Sequence, residues 1–334
     1  MDFFGIDIGT SSIKVAQLVK RKDLRLVSLG ENKAPYPGIR SESEKDWVET
    51  ASAIKSLLSE LKIRTKSAVL GLPEDSVISR LKWFPPMKEE EIRAALEFEA
   101  ETFIPHPLNK VQIDYEIVER DEGGHVLVFV LAALKRTVEK YLKVAKMAGI
   151  TPIALETPAV SLARIFSFGK TPALILDVGS RYSSLTVSKE GNVFLTRTVS
   201  IGGNAFTRAI SLSLGLEPGV AESYRQAYGL REDELEGKVR SVLMPLFKKL
   251  ADEIKKTIFS FKEEWHGDIN LLVVCGGGAA TPELIEELAK VLGIEVQLAQ
   301  PFTGVEAENP LTIDVRSEGA RFSVVFGLAA RGLV

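Results

Sequence analysis

The chain has 334 residues, 45% of them hydrophobic and 26% charged, with a net charge of −3. That size and balance predict about two globular domains and exclude attraction to nucleic acid or anionic lipid through bulk charge. The single cysteine, Cys275, excludes a disulfide framework and a cysteine zinc site and fits a reducing compartment, while His106, His125 and His266 lie too far apart in sequence to suggest a histidine metal site.

From the N-terminus, Phe3–Ile8, Ile13–Lys20 and Leu24–Gly30 are rich in Ile, Val and Leu and predict three short strands. Met1–Gly9 is thus expected as a strand and not as a signal peptide, since no basic region precedes an apolar core. Gly30–Ser43, with Pro35, Pro37 and Gly38, predicts a loop. Asp46 is a candidate N-cap for a helix to about Leu61, with Trp47, Ala51, Ile54, Leu57, Leu58 and Leu61 on one face. Ser67–Leu72 predicts a buried strand that ends at Pro73. Pro85-Pro86 closes a segment, and Lys88–Phe103 predicts a charged amphipathic helix with Ile92, Ala95, Leu96, Phe98 or Glu99, and Phe103 along its apolar stripe. Gln112–Glu119 and His125–Leu134 predict strands joined at Asp121-Glu122-Gly123-Gly124, and a helix from Lys135 stops at Gly149. The α-β-β-α unit at 87–150 is expected to be an inserted subdomain.

Ile153–Glu156 then predicts a strand and Pro158–Phe166 a helix. Ala173–Val178, Ser183–Lys189 and Val193–Ser200 repeat the opening three strands, and Gly202-Gly203-Asn204 leads into a helical region from Ala205 to about Trp265. Asn270–Cys275 predicts a buried strand, followed by Gly276-Gly277-Gly278 and a helix with Thr281 as N-cap and Pro282 at its first position. Gly319–Val334 predicts a buried or amphipathic closing segment. No window approaches the roughly 18 apolar residues of a membrane span, so a cytoplasmic protein without direct membrane insertion is expected.

Asp7-Ile8-Gly9-Thr10-Ser11-Ser12 and Asp177-Val178-Gly179-Ser180 each follow an apolar strand and precede another. Backbone N–H groups converging in a tight turn hold phosphate well, glycine lets the backbone approach, and small hydroxyls add donors. An aspartate at the end of each preceding strand, Asp7 and Asp177, can hold Mg2+, usually through waters. Lys14 alternates with Ile13 and Val15 and so leaves its strand on the other face, toward a cleft where it would meet β- or γ-phosphate. Two such turns predict a duplicated domain around one phosphate cleft. Gly276-Gly277-Gly278 departs from the Rossmann and P-loop fingerprints, yet permits close approach of the nucleoside end of the same ligand.

These motifs together resemble the actin-like ATPase superfamily. Gly5–Lys14 resembles its first phosphate motif, Leu176–Ser184 its second, and Val273–Leu284 its adenosine motif. Leu155–Ala159 and Gly327–Ala329 resemble the two connecting helices at the hinge. The fold implied is α/β: the actin-like, ribonuclease H-like, duplicated two-domain fold. Its first core would be 1–86 with 151–170, closed by a helix at 319–334; its second core would be 171–203 with 270–318, carrying a helical subdomain at 204–269. The insert at 87–150 stands where FtsA carries one. Arg80–Met87, Glu97–Leu108 and Ile113-Asp114-Tyr115 resemble the PilM family of type IV pilus assembly proteins.

The resemblance implies ATP with Mg2+ as cofactors. Asp7 and Asp177 would hold the metal through water. Gly9, Thr10, Ser11, Ser12 and Lys14 would face the phosphates from one side, and Gly179 and Ser180 from the other, with Gly202 and Gly203 just after. Gly276, Gly277 and Gly278 would border the ribose and α-phosphate. Glu222 and Arg225 would approach the nucleoside, although Tyr224-Arg225 replaces the Leu-Lys of FtsA. Glu156 would orient the attacking water as the one catalytic candidate; no second catalytic element is evident, so at most slow ATP turnover is expected. The function implied is a cytoplasmic ATP-binding scaffold of the type IV pilus or a related secretion platform, recruited to the inner membrane by the N-terminal peptide of a PilN-like protein. The alternative is an FtsA-like division or filament protein, with homo-oligomers possible. The chain's end just past the second hinge, without the membrane helix of FtsA, favours the first. A sugar-kinase reading lacks a positioned base for an acceptor hydroxyl.

Overall fold

In the computed structural model, which describes residues 2–334, the chain opens with β1 (Phe4–Ile8), β2 (Ser12–Lys20) and β3 (Leu24–Lys33) as an antiparallel run. Helix α1 (Glu44–Glu60) crosses over so that β4 (Ser67–Gly71) returns parallel to β1. The chain then leaves the sheet through β5 (Val77–Phe84), α2 (Glu89–Ala100), β6 (Val111–Arg120), β7 (Val126–Leu134) and α3 (Lys135–Met147). It rejoins as β8 (Thr151–Glu156), parallel to β4, and continues into α4 (Pro158–Ile165). The second half repeats the plan with β9 (Ala173–Val178), β10 (Ser183–Lys189) and β11 (Asn192–Val199). Three helices follow: α5 (Gly203–Leu214), α6 (Pro218–Ala227) and α7 (Lys238–Trp265). β12 (Leu271–Cys275), α8 (Leu284–Leu292) and β13 (Glu295–Leu298) complete that half. The short β14 (Glu306–Ala307), α9 (Val315–Glu318) and the buried α10 (Ser323–Ala329) lead back to the first half.

The duplication is visible in strand order. The first sheet runs β3-β2-β1-β4-β8, with β14 added at its edge, and the second runs β11-β10-β9-β12-β13. Each places its phosphate turn between the same two strands. The central strands are apolar because both of their faces are covered. Ile6, Ile8, Ile13 and Val15 pack with Ala51, Ile54 and Leu57 of α1 and with Tyr141, Val144 and Ala145 of α3. In the second half, Leu174, Leu176, Leu185 and Val187 pack with Ile210, Leu243, Phe247 and Ile254 of the helices beneath them.

The insert holds three strands, ordered β5-β7-β6. Strand β5 lies in residues that the sequence placed ahead of the insert, and it pairs with β7 from Val77↔Ala133 to Phe84↔Val126. Its register partner lies far along the chain, so no local pattern marks it as part of this sheet. β7 is buried on both sides. Val126, Val128 and Val130 meet Ile92 and Leu96 of α2, while Leu127 and Phe129, with Leu81, join the core of the second half.

Local signals were overridden at four places. Helix α1 starts at Glu44 after Ser43, so Asp46 falls within the first turn, where its charge suits the positive helix end as well as a cap would. Phe98 is 75% exposed, and the buried stripe of α2 is Ile92, Leu96 and Ala100. The helical run after residue 203 is divided, with Gly215 left-handed at φ 66° ending α5. Thr281 and Pro282 do not start a helix. Thr281 Oγ1 accepts from Arg225, the Pro282 carbonyl accepts from the Leu230 N–H, and α8 begins only at Leu284.

Candidate functional site

The two phosphate turns have the same construction. Gly9 N–H donates to the Ser12 carbonyl at 3.0 Å. A side chain at Gly9 would sit 2.9 Å from that carbonyl, and one at Gly179 would sit 2.8 Å from the Tyr182 carbonyl. Each glycine is therefore required by the carbonyl three residues on. The turns meet tip to tip, where Thr10 Oγ1 contacts Ser180 Oγ across the two halves. They differ in one respect. Cross-strand pairing sets Lys14 opposite Asp7, but Ser184 opposite Asp177, so the site has a single lysine between its two aspartates.

A cleft of about 630 Å3 opens at this meeting point. Asp7, Gly9, Thr10, Ser11, Ser12 and Lys14 line one side of it, and Asp177, Gly179, Ser180 and Gly203 the other. Gly276, Gly277, Gly278, Glu222 and Arg225 line it as well. Gly276 has φ 85° and a side chain there would lie 2.2 Å from Asp177 Oδ1, so only glycine fits. Arg225 is almost fully buried. It donates to Thr207 Oγ1, Thr281 Oγ1 and Glu222 Oε1, binding α5, α6 and the glycine triplet into one wall.

Electrostatics mark the aspartates. Burial raises both carboxyls above their ordinary range, and the charge of Asp7 adds to the rise at Asp177, which reaches about 6, while Lys14 opposes both. Two buried like charges are costly alone and favourable around a divalent cation. Among the described residues, no three His, Cys, Asp or Glu side chains cluster as a metal cage. The pair therefore fits Mg2+ completed by water and phosphate oxygens, which is how this ion prefers to bind.

Two expected site residues stand elsewhere. Glu156 does not line the cleft. Its carboxylate accepts from both terminal nitrogens of Arg164, at 2.9 and 2.8 Å, and from Arg331. Arg164 also donates to the Gly327 carbonyl at 2.8 Å, so this cluster laces α4 to α10 at the hinge. A carboxylate held by two guanidinium groups is a poor base and is not free to orient water. Gly202 is not a wall of the cleft either. A side chain there would meet Gly179 O and Tyr182 N at 2.7 Å, so Gly202 supports the second turn from behind.

Sequence reasoning missed three groups. Arg321 pairs with Glu31 at 2.9 Å and with Glu318 at 2.7 Å, its carbonyl accepts from Lys14 Nζ at 2.8 Å, and all four residues line the cleft. Tyr182 lines it beside Ser180, and its hydroxyl accepts from the Glu74 N–H at 3.2 Å. The Glu74 carboxylate is buried and accepts from the Ala159 N–H at 3.0 Å, at the start of α4, and burial raises it to about 7. No motif announces these contacts, because each joins segments remote in sequence.

Against known proteins, the family model described as type IV pilus assembly protein PilM matches residues 5–333. The chain belongs to the PilM family of type IV pilus assembly proteins. The solved PilM-PilN type IV pilus biogenesis complex contains a chain 26% identical, with a TM-score of 0.87, covering 100% of this chain and 99% of that one. The cell division protein FtsA of Streptococcus pneumoniae is 25% identical over 90% of this chain and 75% of its own length. MreB5 of Spiroplasma citri bound to ADP has a TM-score of 0.55 at 15% identity, covering 98% of this chain and 94% of that one. The fold is thus actin-like, as its duplicated strand order indicates. Among the described residues, no helix is long and apolar enough to cross a membrane.

Proposed function

We propose that the chain is a nucleotide-binding scaffold of the type IV pilus assembly platform. It binds ATP with Mg2+ between its two phosphate turns and docks the cytoplasmic N-terminal tail of a PilN-like membrane protein, which recruits it to the inner face of the membrane. The observation that carries this reading is the full-length match of a PilM-family chain to a chain of the PilM-PilN complex. Both aspartates and the paired turns on one cleft support the nucleotide part. Mg2+, when bound, would neutralise phosphate charge. Asp7 and Asp177 would orient its waters, Lys14 would exchange its carbonyl partner for phosphate, and the turns would offer backbone N–H groups. With Glu156 tied to Arg164 and Arg331, turnover is slow, and the nucleotide acts to hold the two halves together.

The tail docks at the junction of the first core and the insert, where α1 packs on α3 and Val48 and Leu142 are exposed. The test is titration of a labelled PilN-like tail peptide against the full chain, with and without ATP and Mg2+. Binding that is lost on Val48→Glu with Leu142→Glu supports the reading. Binding that these substitutions leave unchanged, or no binding by the native chain, refutes it. An ATP turnover as fast as that of a dedicated motor would refute the scaffold role.

A further inference from the structure

Arg40 and Tyr141 line the cleft beside Tyr182, and neither belongs to a phosphate turn. Arg40 ends the short helical turn Gly38–Arg40, Tyr141 lies on α3, and Tyr182 closes the second phosphate turn. Among the described residues, Tyr141 is the only one of the insert that lines the cleft. It is 3% exposed and packs in the core of the first half with Ile54 and Leu57 of α1.

The three polar groups are neighbours. The Tyr141 hydroxyl has no hydrogen-bond partner among the described residues, and the charged groups acting on it are Asp7, Arg40 and Asp75. Asp7 and Arg40 line the cleft, so this hydroxyl faces that space from a buried ring. A buried hydroxyl left without a partner is uncommon and costly. The Tyr182 hydroxyl accepts from the Glu74 N–H at 3.2 Å, which leaves its own proton to donate. Burial pushes both phenols far above their ordinary range, so both keep their protons at neutral pH. Both phenols act on the Arg40 guanidinium, which donates to Asp75 at 2.7 and 3.4 Å and has further N–H groups to offer.

A terminal phosphoryl group carries three acceptor oxygens and no donor, and it matches a guanidinium with hydroxyl donors around it. The carboxylates nearby do not oppose such a guest. Asp75 is spent on Arg40, Glu74 keeps its proton up to about 7, and Asp7 and Asp177 face the metal of the proposed function. The nucleoside wall is built from the second half by Glu222, Arg225 and the glycine triplet, whereas Arg40 and Tyr141 come from the first half beside Asp7. A nucleotide with its base at that wall and its phosphates between the turns ends toward Arg40 and Tyr141. We propose that Arg40, Tyr141 and Tyr182 hold the terminal phosphoryl group of a nucleoside triphosphate and set a preference for triphosphate over diphosphate. This inference rests on a nucleotide occupying the cleft, as in the proposed function.

The test is calorimetric titration of the full chain with a non-hydrolysable ATP analogue and with ADP, each with Mg2+. The native chain should bind the analogue more tightly. Tyr141→Phe removes only the hydroxyl and keeps the packed ring, so thermal unfolding without ligand should stay unchanged. It should weaken binding of the analogue roughly tenfold and that of ADP far less, so that the ratio of the two affinities collapses. Arg40→Lys keeps the charge but loses the planar fork, and should lower the same ratio. A ratio that both variants leave unchanged, or an equal loss for both ligands, overturns the proposal and leaves nucleotide binding standing. If the native chain binds neither ligand, the nucleotide reading falls and this inference with it. Saturable binding of inorganic phosphate alone, lost in Tyr141→Phe while the ratio holds, assigns the pocket to free phosphate and also overturns it.

Discussion

Glu74→Gln isolates one buried charge at the hinge. Glu74 is 3% exposed, accepts from the Ala159 N–H at the start of α4, and is raised from 4.5 to about 7, chiefly by burial. Below pH 4.5 the group is neutral in the folded and unfolded chain alike, and stability does not depend on it. Between 4.5 and about 7 the unfolded chain releases the proton while the folded chain keeps it, so stability falls as pH rises. Above about 7 both states are ionised, and the loss is complete at about 3 kcal/mol. Glutamine keeps the size and an acceptor oxygen but cannot ionise. The variant should match the native chain near pH 4.5 and exceed its stability by about 3 kcal/mol near pH 8. Urea unfolding of both proteins across that range, without nucleotide or Mg2+, measures the difference, and subtraction removes groups common to both. A difference that stays flat with pH would falsify the assignment of a neutral carboxyl to this position.

Gly276→Ala forces a left-handed alanine whose methyl group meets Asp177; a fluorescent ATP analogue should bind at least roughly tenfold more weakly, and native affinity would refute the role of that glycine. Asp177→Asn removes one of two buried like charges, so thermal stability without ligand should rise while calorimetry shows that Mg2+ no longer strengthens ATP binding. Arg164→Ala leaves Glu156 with Arg331 alone and should cost about 3 kcal/mol in urea unfolding. Glu156→Gln should change steady-state ATP turnover by less than about twofold; a large loss would return that carboxylate to the chemistry.

Much of the fold was legible because it was written twice. Strand-turn-strand runs at Phe4–Lys20 and Ala173–Lys189 carry alternating and buried apolar patterns that local sterics enforce. The glycines at 9, 179 and 276 were legible for the same reason: their demand comes from carbonyls and carboxylates held in short, regular turns. Helix bounds were less so, since the caps expected at Asp46 and Thr281 each had a competitor, a charge-favoured first turn in one case and the Arg225 guanidinium in the other.

What the sequence by itself determined, then, is the list of elements and the identity of the phosphate turns, because strand propensity, turn chemistry and burial patterning act over a few neighbouring residues. What only the tertiary structure decided is which side chains share a space. It took Glu156 out of the cleft and into the grip of Arg164 and Arg331, brought Arg321 to Glu31 and Lys14, buried Glu74 under α4, and made β5 an edge strand of the insert's sheet, set against β11. Each of those outcomes joins segments far apart in the chain, and such contacts depend on how packed layers meet, which no local pattern of residues encodes.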